Sequence, residues 1–131
     1  AAADAGVKMD FIVRTTYAMK PHPNIRAISI LDRYLEHQRI YVFGKGKERD
    51  IYLGSADLME RNLDWRVEVA FPILNEKHQD YIWDLMQLQI ADTYKARVLD
   101  ETQSNTYVAH EGNESRSQWT TRAYIAGLLG G

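Results

Sequence analysis

His37 and Arg39 stand two residues apart, immediately before the apolar run 40–43. An imidazole can attack phosphorus, or take and give a proton near neutral pH. A guanidinium offers paired donors to phosphate oxygens. In an extended segment, residues i and i+2 share a face, so both groups point the same way. A second apolar run, 51–53, ends on Gly54 and Ser55, with Asp57 close behind. A Gly-Ser turn opening a helix adds backbone N–H groups and a hydroxyl to the same chemistry. A lone histidine or arginine at a strand end is more often structural or simply solvated. Here the two occur together with the Gly-Ser turn, and that combination suits the handling of phosphate.

The elements that must position these groups follow from the pattern around them. Two β-branched and aromatic runs separated by the polar, Gly-containing stretch 44–50 predict a hairpin. In an antiparallel pair the start of one strand lies beside the end of the other. His37, Arg39 and Ser55 therefore gather at one end of a sheet, with the polar turn at the far end. Residues 55–62 read as a helix start, with Ser55 as its cap and Asp57 and Glu60 favouring the first turns. Residues 65–73 read as a further strand, with Val67, Val69 and Phe71 on one face and Arg66, Glu68 and Ala70 on the other. Asp64 and Arg66 would form a surface ion pair of little energetic weight, and Glu68 is placed to hold Arg66 by a charge-assisted hydrogen bond.

Elsewhere, residues 8–16 read as a strand covered on both faces, with Arg14 where the apolar run ends. Pro21 and Pro23 make 19–24 a loop, with His22 exposed between them. Residues 25–30 form a second strand, and 31–36 one or two helical turns leading to His37. The clearest helix is 75–93, capped by Asn75, with His78 exposed on its first turn. A short strand at 95–100 pairs with 106–110, His110 is exposed, and a closing amphipathic helix covers 118–129. Residues 1–6 read as the last turn of a helix closed by Gly6, which suggests a fragment of a longer chain. The expected class is α/β (α+β), a sheet flanked by helices.

The chain has 131 residues, a single-domain length, with 45% hydrophobic and 26% charged residues. No apolar run approaches the ~18 residues of a membrane-spanning helix, and no signal peptide is visible. Cysteine is absent, so disulfides and thiolate metal sites are excluded. The net charge of −2 argues against a broad basic face for nucleic acid. It leaves room for a small anion site, which depends on local arginines. There is no Gly-rich Walker loop, so a nucleotide would have to be held by arginines and loop amides.

His-x-Arg at 37–39, followed by Gly-Ser-x-Asp at 54–57, resembles the phospholipase D pattern His-x-Lys with Gly-Ser-x-Asn. Arg39 stands for the lysine and Asp57 for the asparagine. The blocks 33–44, 55–72, 5–14, 24–30, 91–97 and 116–118, in their order, strongly resemble the C-terminal catalytic domain of polyphosphate kinase. That resemblance covers nearly the whole chain. It departs from the family at 15–18, and at Lys20, where an arginine is frequent.

The resemblance implies a phospholipase-D-like fold over 1–131, preceded in the enzyme by further domains. It implies reversible transfer of the γ-phosphate of ATP to polyphosphate, through a phosphohistidine on a preceding domain. His37 would be the second, catalytic histidine. Arg14 and Arg66 would contact phosphates, with Arg39 and Ser55 beside them. ATP and ADP, polyphosphate, Mg²⁺ with the nucleotide, a cytoplasmic location with some membrane association, and a homo-oligomer are the accompanying expectations. A phospholipase-D-like phosphodiesterase half and a non-catalytic phosphate-binding module are the alternatives.

Overall fold

The computed structural model describes residues 1–14 and 17–130. Thr15 and Thr16, the end of the strand expected over 8–16, lie outside the described residues. The chain divides into two compact units, Ala1–Leu35 with Leu85–Gly131, and Glu36–Asp84. Each carries its own three-stranded sheet, where the sequence suggested one.

In the first unit the sheet order is β1 (Met9–Ile12), β2 (Ile25–Ile30), β6 (Ala96–Val98). β1 and β2 run parallel, with Met9 opposite Ile25, and β2 and β6 antiparallel, with Ser29 opposite Arg97. Among the described residues β1 is thus an edge strand, not the central strand that its apolar run suggested. The buried central place goes to β2, which has a partner on both sides. Its Ile28 and Ile30 pack with Ala96, Ile12 and Val108 as the core. The pairing expected between 95–100 and 106–110 shrinks to one bridge, Arg97 with Tyr107. At the N-terminus, Gly6 N–H donates to Ala3 (3.0 Å) and Val7 N–H to Ala2 (3.1 Å), with φ of +89° at Gly6. That is the Schellman pairing expected of a helical turn closed by glycine.

Residues 31–36 form no helix. The C-terminal helix α3 (Ser117–Leu129) holds this segment instead. Arg116 Nε and an Nη donate to the two oxygens of Asp32 at 2.8 and 2.6 Å. Gln118 accepts from Tyr34 N–H (3.0 Å) and donates to the Tyr34 carbonyl (2.7 Å). The start of α3 is in turn fixed by fully buried Asp92, which accepts from the N–H groups of Lys95, Ala96 and Ser117 at 2.7–2.8 Å. Arg116 and Gln118 lie in blocks of the resemblance, and this clamp is what they build.

In the second unit the order is β3 (Ile40–Phe43), β4 (Asp50–Gly54), β5 (Ala70–Pro72), all antiparallel. The hairpin is antiparallel as expected, with Ile40 opposite Leu53, and its second strand takes in Asp50 and Gly54 beyond the apolar run 51–53. Gly44 makes the turn possible. Its φ is +84°, and a Cβ there would collide with the Glu48 carbonyl. Ile51, 1% exposed, is the apolar centre of this sheet. The strand expected over 65–73 is present only at 70–72. Trp65, Val67 and Val69 alternate correctly but stay exposed; alternation alone gives no strand without a pairing partner. Helix α2 (Glu76–Ile90) contributes to both units and starts as expected, with Asn75 Oδ1 accepting from Lys77 and His78 N–H. His22 is half-buried, its Nδ1 accepting from Asn24 N–H at 3.1 Å, where an exposed ring was expected.

Candidate phosphate site at the end of the β3–β4 hairpin

The antiparallel ladder continues one step past β3. Gly54 N–H donates to the Arg39 carbonyl at 3.0 Å, so Arg39 lies across from the Gly-Ser turn. Tyr41 follows Arg39 on the same face, and its hydroxyl donates to the Ala56 carbonyl at 3.0 Å. A side chain at Gly54 would sit 3.1 Å from the Tyr41 ring, so glycine lets the ring cross and hold the turn.

His37 and Arg39 share that face and touch. An Arg39 Nη lies 2.7 Å from His37 Nε2, and the other Nη is 3.4 Å from the His37 carbonyl. Arg39 Nε donates to Asp57 Oδ1 at 2.9 Å. The two residues that depart from the phospholipase D pattern, Arg39 and Asp57, are therefore partners of each other. The pair is partly open, its side chains 22% and 34% exposed.

Ser55 does not cap a helix. The helix that follows, α1 (Glu60–Leu63), has only four residues and begins after Met59. Ser55 N–H is spent on the Val69 carbonyl at 2.9 Å. Its hydroxyl accepts from Val69 N–H at 3.0 Å and donates to Glu68 Oε2. Glu68 Oε1 accepts from the amide of Asn62, which is 3% exposed, at 2.7 Å. Glu68 was expected to clasp Arg66, but both its oxygens go elsewhere. Arg66 acts on it through charge and remains exposed. The Ser55 hydroxyl, then Asn62, then the charges of Arg66 and Arg39 hold the Glu68 carboxyl below its usual pKa. It stays ionised and keeps both guanidinium groups in its field.

The second unit thus brings together four of the five site residues expected from sequence: His37, Arg39, Ser55 and Arg66. Arg14 belongs to the first unit, just past β1, where its carbonyl accepts from the Ser29 hydroxyl at 3.2 Å. Sequence reading missed the connecting parts. Glu68 was assigned to Arg66, Asp57 to a helix turn, and Asn62 to nothing. The only signal available for Asp57 was that it changes together with Arg39 relative to the pattern.

The carboxylates here do not form a ligand set for Mg²⁺. Both oxygens of Glu68 and one of Asp57 are already engaged. Among the described residues, no three His, Asp or Glu side chains cluster in a way that could hold a metal ion. What the arrangement offers is the His37 imidazole against the Arg39 guanidinium, with exposed Arg66 in the charge field of Glu68, a candidate anion site.

The profile of the family "Polyphosphate kinase C-terminal domain 2" matches residues 1–118. The chain belongs to that family. It is 46% identical over 122 residues to the polyphosphate kinase of Exiguobacterium sp. (strain ATCC BAA-1283 / AT1b), covering 89% of this chain and 17% of that protein. It is 41% identical over 134 residues to the polyphosphate kinase of Escherichia coli K12, covering 98% of this chain and 20% of that protein. The crystal structure of polyphosphate kinase from Porphyromonas gingivalis superposes with a TM-score of 0.92 at 35% identity, over 97% of this chain and 20% of that one. The chain thus spans about a fifth of the length of these relatives and has the expected phospholipase-D-like α/β fold.

Proposed function

We propose that this chain is the C-terminal catalytic portion of an ATP–polyphosphate phosphotransferase. The γ-phosphoryl group of ATP passes reversibly to a growing polyphosphate chain, by way of a phosphohistidine on a preceding domain. His37 orients that nucleophile or exchanges a proton during transfer. Arg39 and Arg66 neutralise charge on the transferring and leaving phosphates; phosphoryl transfer depends chiefly on positioning and electrostatics. Ser55 contributes by fixing Glu68 within the field of both arginines. Arg14 is a further phosphate contact on the family resemblance alone.

The observation that carries this reading is the contact of His37 with Arg39 beside the Gly-Ser turn, in a chain of the polyphosphate kinase family. The same reading takes ATP and ADP as nucleotides, with Mg²⁺ brought on their phosphates. It expects a cytoplasmic, self-associating full-length enzyme. Among the described residues, no helix is long and apolar enough to cross a membrane.

The test replaces the matched fifth of the Escherichia coli enzyme with this chain and follows ADP formation from ATP and polyphosphate. The chimera should turn over, and His37→Ala should slow it about 10²-fold or more with its melting temperature unchanged. This chain alone should form no ADP. Parental rates in the His37→Ala chimera, or turnover by the isolated chain, would overturn the reading.

A further inference from the structure

Arg39 spends its donors in an unusual way. Nε–H goes to Asp57 Oδ1 at 2.9 Å, and an Nη–H goes to His37 Nε2 at 2.7 Å. A guanidinium has donors only and does not lose its proton in proteins. The ring nitrogen at 2.7 Å must therefore be the acceptor. A neutral imidazole accepts at one nitrogen and carries its proton on the other, so the proton of His37 sits on Nδ1. Free histidine prefers the opposite tautomer. Asp57 holds the guanidinium that enforces this choice, through Oδ1, on a partly open pair.

We propose that Arg39, held by Asp57, is a positioning residue that sets the tautomer of His37 and yields its Nη to an arriving phosphoryl group. This deepens the function proposed above and rests on it. A phosphoryl oxygen carries more charge than a neutral ring nitrogen and makes the stronger, charge-assisted bond to a guanidinium. Arg39 therefore turns to the anion when one binds. His37 Nε2 is then released, its lone pair free to face the reacting group. The imidazole is thus kept occupied until substrate is present. The proposal also explains why arginine and aspartate stand together where the phospholipase D pattern has lysine and asparagine. A lysine has no second nitrogen with which to bind a carboxylate and an imidazole in fixed geometry.

The experiment is ¹⁵N NMR of the histidine rings in the full 131-residue chain, at a pH where His37 is neutral, with tripolyphosphate as the probe. Without anion, His37 should show a pyrrole-type signal at Nδ1 and a pyridine-type signal at Nε2. Arg39→Ala and Asp57→Ala should each shift it toward the Nε2–H form, and saturating tripolyphosphate should end the lock in the wild type. A pyrrole-type Nε2 in the anion-free chain would overturn the proposal. So would a tautomer indifferent to Arg39→Ala, or one unmoved while tripolyphosphate is bound.

The kinetic arm uses the Escherichia coli chimera. Asp57→Asn should lower kcat about tenfold with KM for ATP little changed, and should have no further effect in a His37→Ala background. Equal losses in both backgrounds would mean that Asp57 acts other than through His37. If His37→Ala itself costs nothing while the tautomer results hold, the proposed function fails and the positioning role stands.

Discussion

Two arginine–carboxylate pairs, Asp32–Arg116 in the first unit and Arg39–Asp57 in the second, are built for different ends. In the first unit, Arg116 grips both oxygens of Asp32, whose side chain is only 2% exposed. The guanidinium carbon also lies 4.0 Å from the Trp119 ring centroid and 5.0 Å from that of Tyr94. In the second unit, Arg39 Nε donates to Asp57 Oδ1, the Asp57 side chain is 34% exposed against 2% for Asp32, and another Arg39 nitrogen meets an imidazole that can itself do chemistry. Planarity and paired donors are used in both. Closure makes the first a clamp on the backbone, and openness makes the second available to a ligand.

The contrast can be broken most forcibly at the closed pair. Arg116→Ala leaves a buried carboxylate without its cation, which costs about 3 kcal/mol, read from urea unfolding. A loss under about 1 kcal/mol would place the clamp among ordinary surface pairs. The acid limb gives a second handle. The Arg116 hydrogen bond, as the largest cause, holds the Asp32 carboxyl below its ordinary value. Its contribution is therefore complete above the unfolded pKa of about 3.9 and drains away as pH falls through the lower folded value. Asp32→Asn should flatten that part of the stability–pH curve, and an unchanged slope would contradict the assignment. The open pair should respond least. Asp57→Asn should change stability by no more than about 1 kcal/mol, while altering the behaviour of His37. A large destabilisation there would make it a second structural clamp.

These pairs also mark how far the sequence could be read. The β3–β4 hairpin was legible because its turn chemistry and β-branched runs are local, and Gly44 has the positive φ such a turn requires. Helix α2 was legible from its period and its Asn75 cap. The Asp32–Arg116 pair spans 84 positions, and no local pattern announces such a contact. At 65–69 the alternation was real, but the β5 pairing covers only Ala70–Pro72. Ser55 was misread for a related reason. Its sequence suits a cap, yet Val69 and Glu68, brought in from further along the chain, claimed its N–H and hydroxyl. The gathering of His37, Arg39 and Ser55 at one end of the hairpin could thus be anticipated, while the hydrogen bonds that set its geometry needed the folded chain.

On the function proposed above, the His37 end of the β3–β4 hairpin receives phosphate. The most direct measurement is chemical-shift mapping of tripolyphosphate on the isotope-labelled chain. The largest perturbations in the second unit should fall on His37, Arg39, Gly54 to Asp57 and Arg66 to Glu68, and should vanish in an Arg39→Ala, Arg66→Ala double variant. Binding that leaves these residues silent, or survives the double variant, would contradict it.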